Sequence, residues 1–140
     1  GARLRVDPRL LEHTALPASF EMAVELIVQR AFSPDTDPQL VSLAAKRIAE
    51  TRPAVLHGDF LACDAFDVLD SVGRIRTPAQ VICGQDDQLT PPRYSQYLAD
   101  HLPKADLRIL HQAGHMVMLE KPKQVADILN EFLDSIPYPG

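Results

Sequence analysis

Apolar residues recur three and four positions apart through the first half of the chain and gather into short runs in the second. Asp7-Pro8 opens the first helical stretch, because Asp suits an N-cap and Pro the first helical position. The spacing carries that helix to about Thr14. A second starts at Pro17-Ala-Ser19, and Phe20, Ala23, Val24, Ile27 and Val28 fall on one face of it through Arg30. The turn cluster Ser33-Pro-Asp-Thr-Asp-Pro38 separates it from a third helix with Leu40, Leu43, Ala44 and Ile48 on one face. Thr51-Arg-Pro53 breaks that helix, a fourth covers about Ala54 to Asp64, and a short fifth covers Phe66 to Ser71. No strand pattern is expected in this half, although residues 1–6 read as the tail of an apolar segment already under way.

The pattern changes at Ile75-Arg-Thr-Pro78. Pro78 drives the residue before it towards extended geometry, and Ala79 to Cys83 reads as a short parallel strand buried on both faces. Gly84 ends it. Thr90 is placed to cap a helix that Pro91-Pro92 begins and that runs to about His101. Leu102-Pro103 stops that helix, and Ala105 to Leu110 form the second strand. The loop from His111 to Lys121 leads to a last helix over Pro122 to Ser135, with Val125, Ile128, Leu129, Phe132 and Leu133 as its apolar positions. Strand, helix, strand implies a right-handed parallel crossover. The fold class is therefore α/β, with a helical region over 1–74 followed by a β-α-β-α unit over 75–140.

Each strand stops at a polar turn, and each turn carries a residue suited to catalysis: Asp87 in the first, His115 in the second. In open parallel sheets functional groups sit beyond the carboxyl ends of the strands. Neighbouring strands are about 4.8 Å apart, so the two side chains can reach each other. A carboxylate there would fix the imidazole tautomer and leave the other ring nitrogen free to take a proton. Gly114, just before His115, is expected in a tight turn needing positive φ.

Composition narrows the alternatives. The chain has 140 residues, 46% of them hydrophobic, enough for one ordinary core. With a net charge of −5 and scattered Lys and Arg, it shows no footprint for nucleic acid. No apolar run approaches the roughly 20 residues of a membrane span, and the first residues do not read as a signal peptide, so none is expected from them. Cys63 and Cys83 match no metal or redox spacing; reduced and buried, they suit a cytoplasmic protein. The five histidines, His13, His57, His101, His111 and His115, show no metal-type pairing with carboxylates, so neither metal nor cofactor is expected.

Gly84-Gln-Asp-Asp-Gln-Leu-Thr-Pro91 resembles the acid loop of the α/β-hydrolase superfamily, Gly-x-x-Asp-x-x-x-Pro. Ala113-Gly-His-Met-Val-Met-Leu-Glu-Lys-Pro122 resembles its histidine loop, including the Glu-x-Pro that opens the final helix. Asp59 to Asp67 and Ile75-Arg-Thr-Pro78 resemble the passage from the helical cap into the seventh strand. The likeness is weak before Val55 and strong from Gly58 onward. It implies Asp87 as triad acid, with Asp86 a turn residue, and His115 rather than His111 as base. It also implies a cap roofing a small uncharged acyl substrate, with Leu89, Met116, Phe32 and Phe60, and beyond them Phe20 and Leu56, as candidate pocket residues.

The family's nucleophile elbow, Gly-x-Ser-x-Gly, is not found among these six glycines, nor is a His-Gly-Gly run for an oxyanion hole. The expectation is a C-terminal portion of a carboxylesterase- or lactonase-like hydrolase, with the nucleophile upstream of Gly1. Such a chain alone would be inactive, and the absent N-terminal half or a second copy would complete its sheet. An Asp elbow upstream would instead give an epoxide hydrolase or dehalogenase. A chain beginning at Gly1 would suit a non-catalytic binding module of the same fold.

Overall fold

The computed structural model describes residues 2–136. Helices α1 (Pro8–Ala15), α2 (Phe20–Ala31), α3 (Pro38–Ala49), α4 (Pro53–Ala65) and the single turn α5 (Leu69–Val72) come first. They are followed by β1 (Ala79–Gly84), α6 (Pro92–His101), β2 (Ala105–Leu110), the one-turn α7 (Val117–Glu120) and α8 (Pro122–Ser135). Asp7 and Asp37 cap α1 and α3, accepting from the backbone N–H groups of Arg9 and Gln39, with a proline at the first helical position of each.

α2 buries Phe20, Ala23, Val24, Ile27 and Ala31, a stripe at helical spacing that packs between α1 and α3. Phe20, Ala23 and Val24 form a core cluster with Ala45, Ile48 and Leu56. Phe20 and Leu56, candidates for the pocket, are thus spent on helix packing. Leu43 is 53% exposed, because the inner face of α3 runs through Ala44, Ala45 and Ile48 instead.

β1 and β2 pair in parallel with Ala79 opposite Ala105 and Gly84 opposite Leu110, and α6 makes the crossover between them. Ala113, Val117 and Val125 form a second core cluster with Ile82 and Leu110. β1 is buried only at Cys83 and Gly84 and half-buried before them, less covered than its apolar run implied. Cys83 is free and buried, and burial pushes its thiol pKa up.

Three local expectations are corrected. Pro17–Ser19 is a separate 3₁₀ turn ahead of α2. The fifth helix starts at Leu69, because the backbone before it is engaged with the N-terminal segment: Leu4 N donates to Phe66 O at 3.2 Å and Val68 N to Ala2 O at 2.7 Å. That pairing, with a bridge between Arg3 and Asp67, is extended structure in a half expected to be wholly helical. Thr90 does not cap α6, whose N-cap is Pro91 with no side-chain hydrogen bond; its hydroxyl is engaged elsewhere.

Candidate active site

The strands end side by side at Gly84 and Leu110, and the loops beyond them interlock. Gln85 N donates to Leu110 O at 2.8 Å and Asp86 N to Ala113 O at 2.8 Å. The approach is close enough that a Cβ on Gly84 would lie 2.2 Å from Gly114 O. Gly114 itself packs on the end of α2, where an added Cβ would meet Ala31 O at 2.5 Å. No glycine among the described residues has positive φ; Gln112 does, at 51°. Gly114 therefore serves by its lack of a side chain, and the turn's strain falls two residues earlier than expected.

Asp87 is 6% exposed, and each of its carboxylate oxygens is held by two partners. Its Oδ1 accepts from Leu89 N at 2.9 Å and Thr90 N at 2.8 Å, and its Oδ2 from Thr90 Oγ1 at 2.9 Å. His115 Nδ1 lies 2.9 Å from the same Oδ2. Burial is the largest single influence on this carboxyl and raises its pKa. The hydrogen bonds from His115 and from the Thr90 backbone and hydroxyl, with the charge of His115, outweigh it and leave Asp87 below its ordinary value.

Thr90 Oγ1 also lies 3.1 Å from His115 Nδ1. A hydroxyl has one proton, and Thr90 directs it to Asp87. Nδ1 therefore faces two acceptors and carries the hydrogen, which leaves Nε2 as the basic nitrogen of the neutral ring. Thr90→Val keeps the shape and removes the oxygen. It is expected to raise the Asp87 pKa and to bring a second tautomer into the ¹⁵N spectrum of His115, while Thr90→Ser retains the single one. An unchanged spectrum in the valine variant would remove Thr90 from the relay.

The loops are held by the helical half. His115 N and Met116 N both donate to Ala31 O, at 2.7 and 3.2 Å, and Gln88 N donates to Arg30 O at 3.2 Å. Ser33 Oγ donates to Asp86 Oδ2 at 2.6 Å. Glu120 accepts from Gly114 N at 2.8 Å, Ser33 N at 2.9 Å and Thr36 Oγ1. Thr90, Ser33 and Glu120 were not singled out as site residues; for Thr90, its place in the turn just after Asp87, whose carboxylate bonds the backbone two and three residues on, was the available signal. His111 is exposed and its Nδ1 meets Gln85 Oε1, away from Asp87.

His115 is partly exposed, its side chain 37% accessible, and lines a cleft of about 400 Å³ with Leu89, Thr90, Phe60, Leu10 and Tyr94. Phe32 and Met116 are not on its wall. Phe32 is 4% exposed, buried where α2 ends under the histidine loop, and the Met116 backbone is drawn to Ala31. Among the described residues no three His, Cys, Asp or Glu side chains converge as a metal site, and no helix is long and apolar enough to cross a membrane.

Parallel strands joined through a helix, with an acid and a histidine hydrogen-bonded beyond their carboxyl ends, define an α/β-hydrolase core element. The chain belongs to the alpha/beta hydrolase family, whose sequence model matches residues 1–128. It is 36% identical to a thermophilic esterase of known structure, with a TM-score of 0.84 over 96% of this chain and 53% of that one. The enol-lactonase from Burkholderia xenovorans LB400 shares the fold at a TM-score of 0.86 and 20% identity, again over 96% and 53%. A putative carbamate hydrolase, RutD, of Pseudomonas savastanoi pv. phaseolicola is 39% identical over 74 residues, 53% of this chain and 29% of that protein. The chain thus spans about half of these structures and under a third of that relative.

Proposed function

We propose that this chain supplies the acid and base of a serine-type hydrolase of the carboxylesterase or lactonase kind, with Asp87 as the acid and His115 as the base. The observation that carries this reading is the 2.9 Å contact between Asp87 Oδ2 and His115 Nδ1 beyond the ends of paired parallel strands. Nε2 of His115 would accept the proton of a serine hydroxyl as that oxygen attacks an acyl carbon. The imidazolium, steadied by Asp87, would then return the proton to the leaving oxygen. The 36% identity to an esterase over nearly the whole chain supports ester chemistry.

The helical half over 1–74 acts as the cap, and the sheet is completed by strands outside this sequence. The nucleophile and oxyanion donors come with them, because no Gly-x-Ser-x-Gly occurs in these residues. An acid–base pair with no nucleophile to activate performs no acyl transfer. A homogeneous preparation of this chain alone is therefore expected to hydrolyse p-nitrophenyl acetate and butyrate at the background rate. Turnover abolished by a fluorophosphonate would overturn that. In the nucleophile-bearing protein the same reagent should label one serine; labelling of none, with an aspartate esterified instead when an epoxide or haloalkane is supplied, would convert the reading to an epoxide hydrolase or dehalogenase.

A further inference from the structure

The cleft beside His115 is lined by three cations, Arg5, Arg30 and Arg93, against a single carboxylate, Asp7, in a chain whose net charge is −5. That carboxylate is already engaged. Its Oδ2 meets Arg30 Nη1 at 2.6 Å and Arg9 Nη2 at 3.0 Å. The hydrogen bond from Arg9, opposed by burial and aided by Arg30, holds the Asp7 carboxyl well below the usual carboxylate range. Arg5 and Arg93 are left over. Among the described residues neither has a carboxylate within ion-pairing distance.

Both are placed by the fold. The backbone around Arg5 is pinned by Leu4 N on Phe66 O at 3.2 Å and Val6 N on Asp64 Oδ1 at 3.0 Å. Arg93 sits in the first turn of α6 with its guanidinium carbon 4.9 Å from the centre of the Tyr94 ring. An adjoining cleft of about 320 Å³ shares Arg5, Arg93 and Tyr94 with the first, so these three form the wall between the two.

We infer that this wall binds a carboxylate carried by the substrate away from its reacting carbonyl, so that the enzyme's substrates are small anionic esters or lactones. The apolar helices pointed to an uncharged acyl group, but such a group would make no use of the two guanidinium groups at the mouth of the site, which no carboxylate of the described residues pairs. A guanidinium fork matches a carboxylate in geometry as well as charge, and uncompensated cations in a cleft raise the local concentration of an anion. The inference rests on the reading of His115 as the base, since it puts the reacting carbonyl beside that ring.

Binding separates the two readings. Monomethyl glutarate and dimethyl glutarate differ in one charge, and each can be titrated into the ¹⁵N-labelled nucleophile-bearing protein, its nucleophile replaced by alanine, while the amides of Arg5, Arg93 and Tyr94 are followed. The monoester is expected to bind about tenfold more tightly at low salt, as one added charge-assisted hydrogen bond implies, and to lose that margin as salt is raised. Arg5→Gln and Arg93→Gln, both at exposed positions, should each remove part of the monoester's margin and leave the diester unchanged, and the double variant should bind the two esters alike. Equal affinity for the two esters, or equal weakening of both, would overturn the inference. So would inorganic phosphate moving these amides where the monoester does not. Anion binding without hydrolysis in the nucleophile-bearing protein would count against the proposed function alone.

Discussion

In the nucleophile-bearing protein, Asp87→Asn is expected to lower kcat by about 10⁴-fold with little change in KM, the scale seen when a triad acid becomes an amide. The local hydrogen bonds dictate how. Leu89 N and Thr90 N both point at Oδ1, so the oxygen of the new side-chain amide would take that place. The amide nitrogen would then occupy the position of Oδ2 and present hydrogens where Nδ1–H of His115 now donates. The ring would answer by moving its proton to Nε2, which removes the base. A loss below tenfold, with the ¹⁵N tautomer spectrum unchanged, would sink the assignment of Asp87.

The same substitution has a signature in acid unfolding. Asp87 is more acidic in the folded protein than its ordinary value of 3.8, so its ionised form favours folding. That contribution is complete above pH 3.8 and declines as pH falls from there through the folded value. Asp7, also held low by its arginines, contributes in the same direction. The contribution of Asp87 is therefore the difference between the urea-unfolding free energies of the native chain and the asparagine variant, which should narrow as pH falls below about 4. A difference that is flat with pH would show no linkage at this carboxyl.

Gly84→Ala is expected to destabilise the chain by about 3 kcal/mol or more, at the upper end of overpacking costs. Its Cβ would stand 2.2 Å from Gly114 O and 2.3 Å from Ala113 O. Both are backbone atoms, so no rotamer change relieves the overlap, and Ala113 is fully buried with nowhere to retreat. Relief requires lifting the histidine loop off β1, which would draw His115 away from Asp87. Neither Gly84 nor Gly114 has positive φ, so the cost is one of space rather than backbone conformation. Chemical denaturation gives the stability, and the His115 imidazole signals report the pairing. A variant within about 1 kcal/mol of the native chain would show the loops to be compliant.

Much of this was legible in the residues. Local chemistry that acts within a few positions left a direct trace: Asp7-Pro8 at the start of α1, the stripe of Phe20, Ala23, Val24 and Ile27 in α2, and Pro122 at the start of α8. The strands were equally clear, because an apolar run between Pro78 and Gly84, and another after Pro103, has few alternatives. Asp87 and His115 stood out as candidates because each lies just past such a run. The extended pairing of residues 2–4 with 66–68 was missed, since such a short contact is specified by the partner and not by its own pattern.

The sequence by itself determined the longer helices, the two strands, their order, and which two side chains stand at the strand ends. It could not determine what those side chains touch. Thr90 read as a helix cap, because the hydroxyl's choice between a backbone N–H and the Asp87 carboxylate depends on where His115 comes to rest, 25 positions later. Phe32 read as a pocket residue and is buried, because burial is decided by the loop laid over it. Glu120 read as part of a motif; its three donors come from Gly114, Ser33 and Thr36, which only the packed chain brings together. Periodicity and turn chemistry are local and can be read along the chain, whereas hydrogen-bond partners across 25 to 87 residues exist only once the packing has closed the distance.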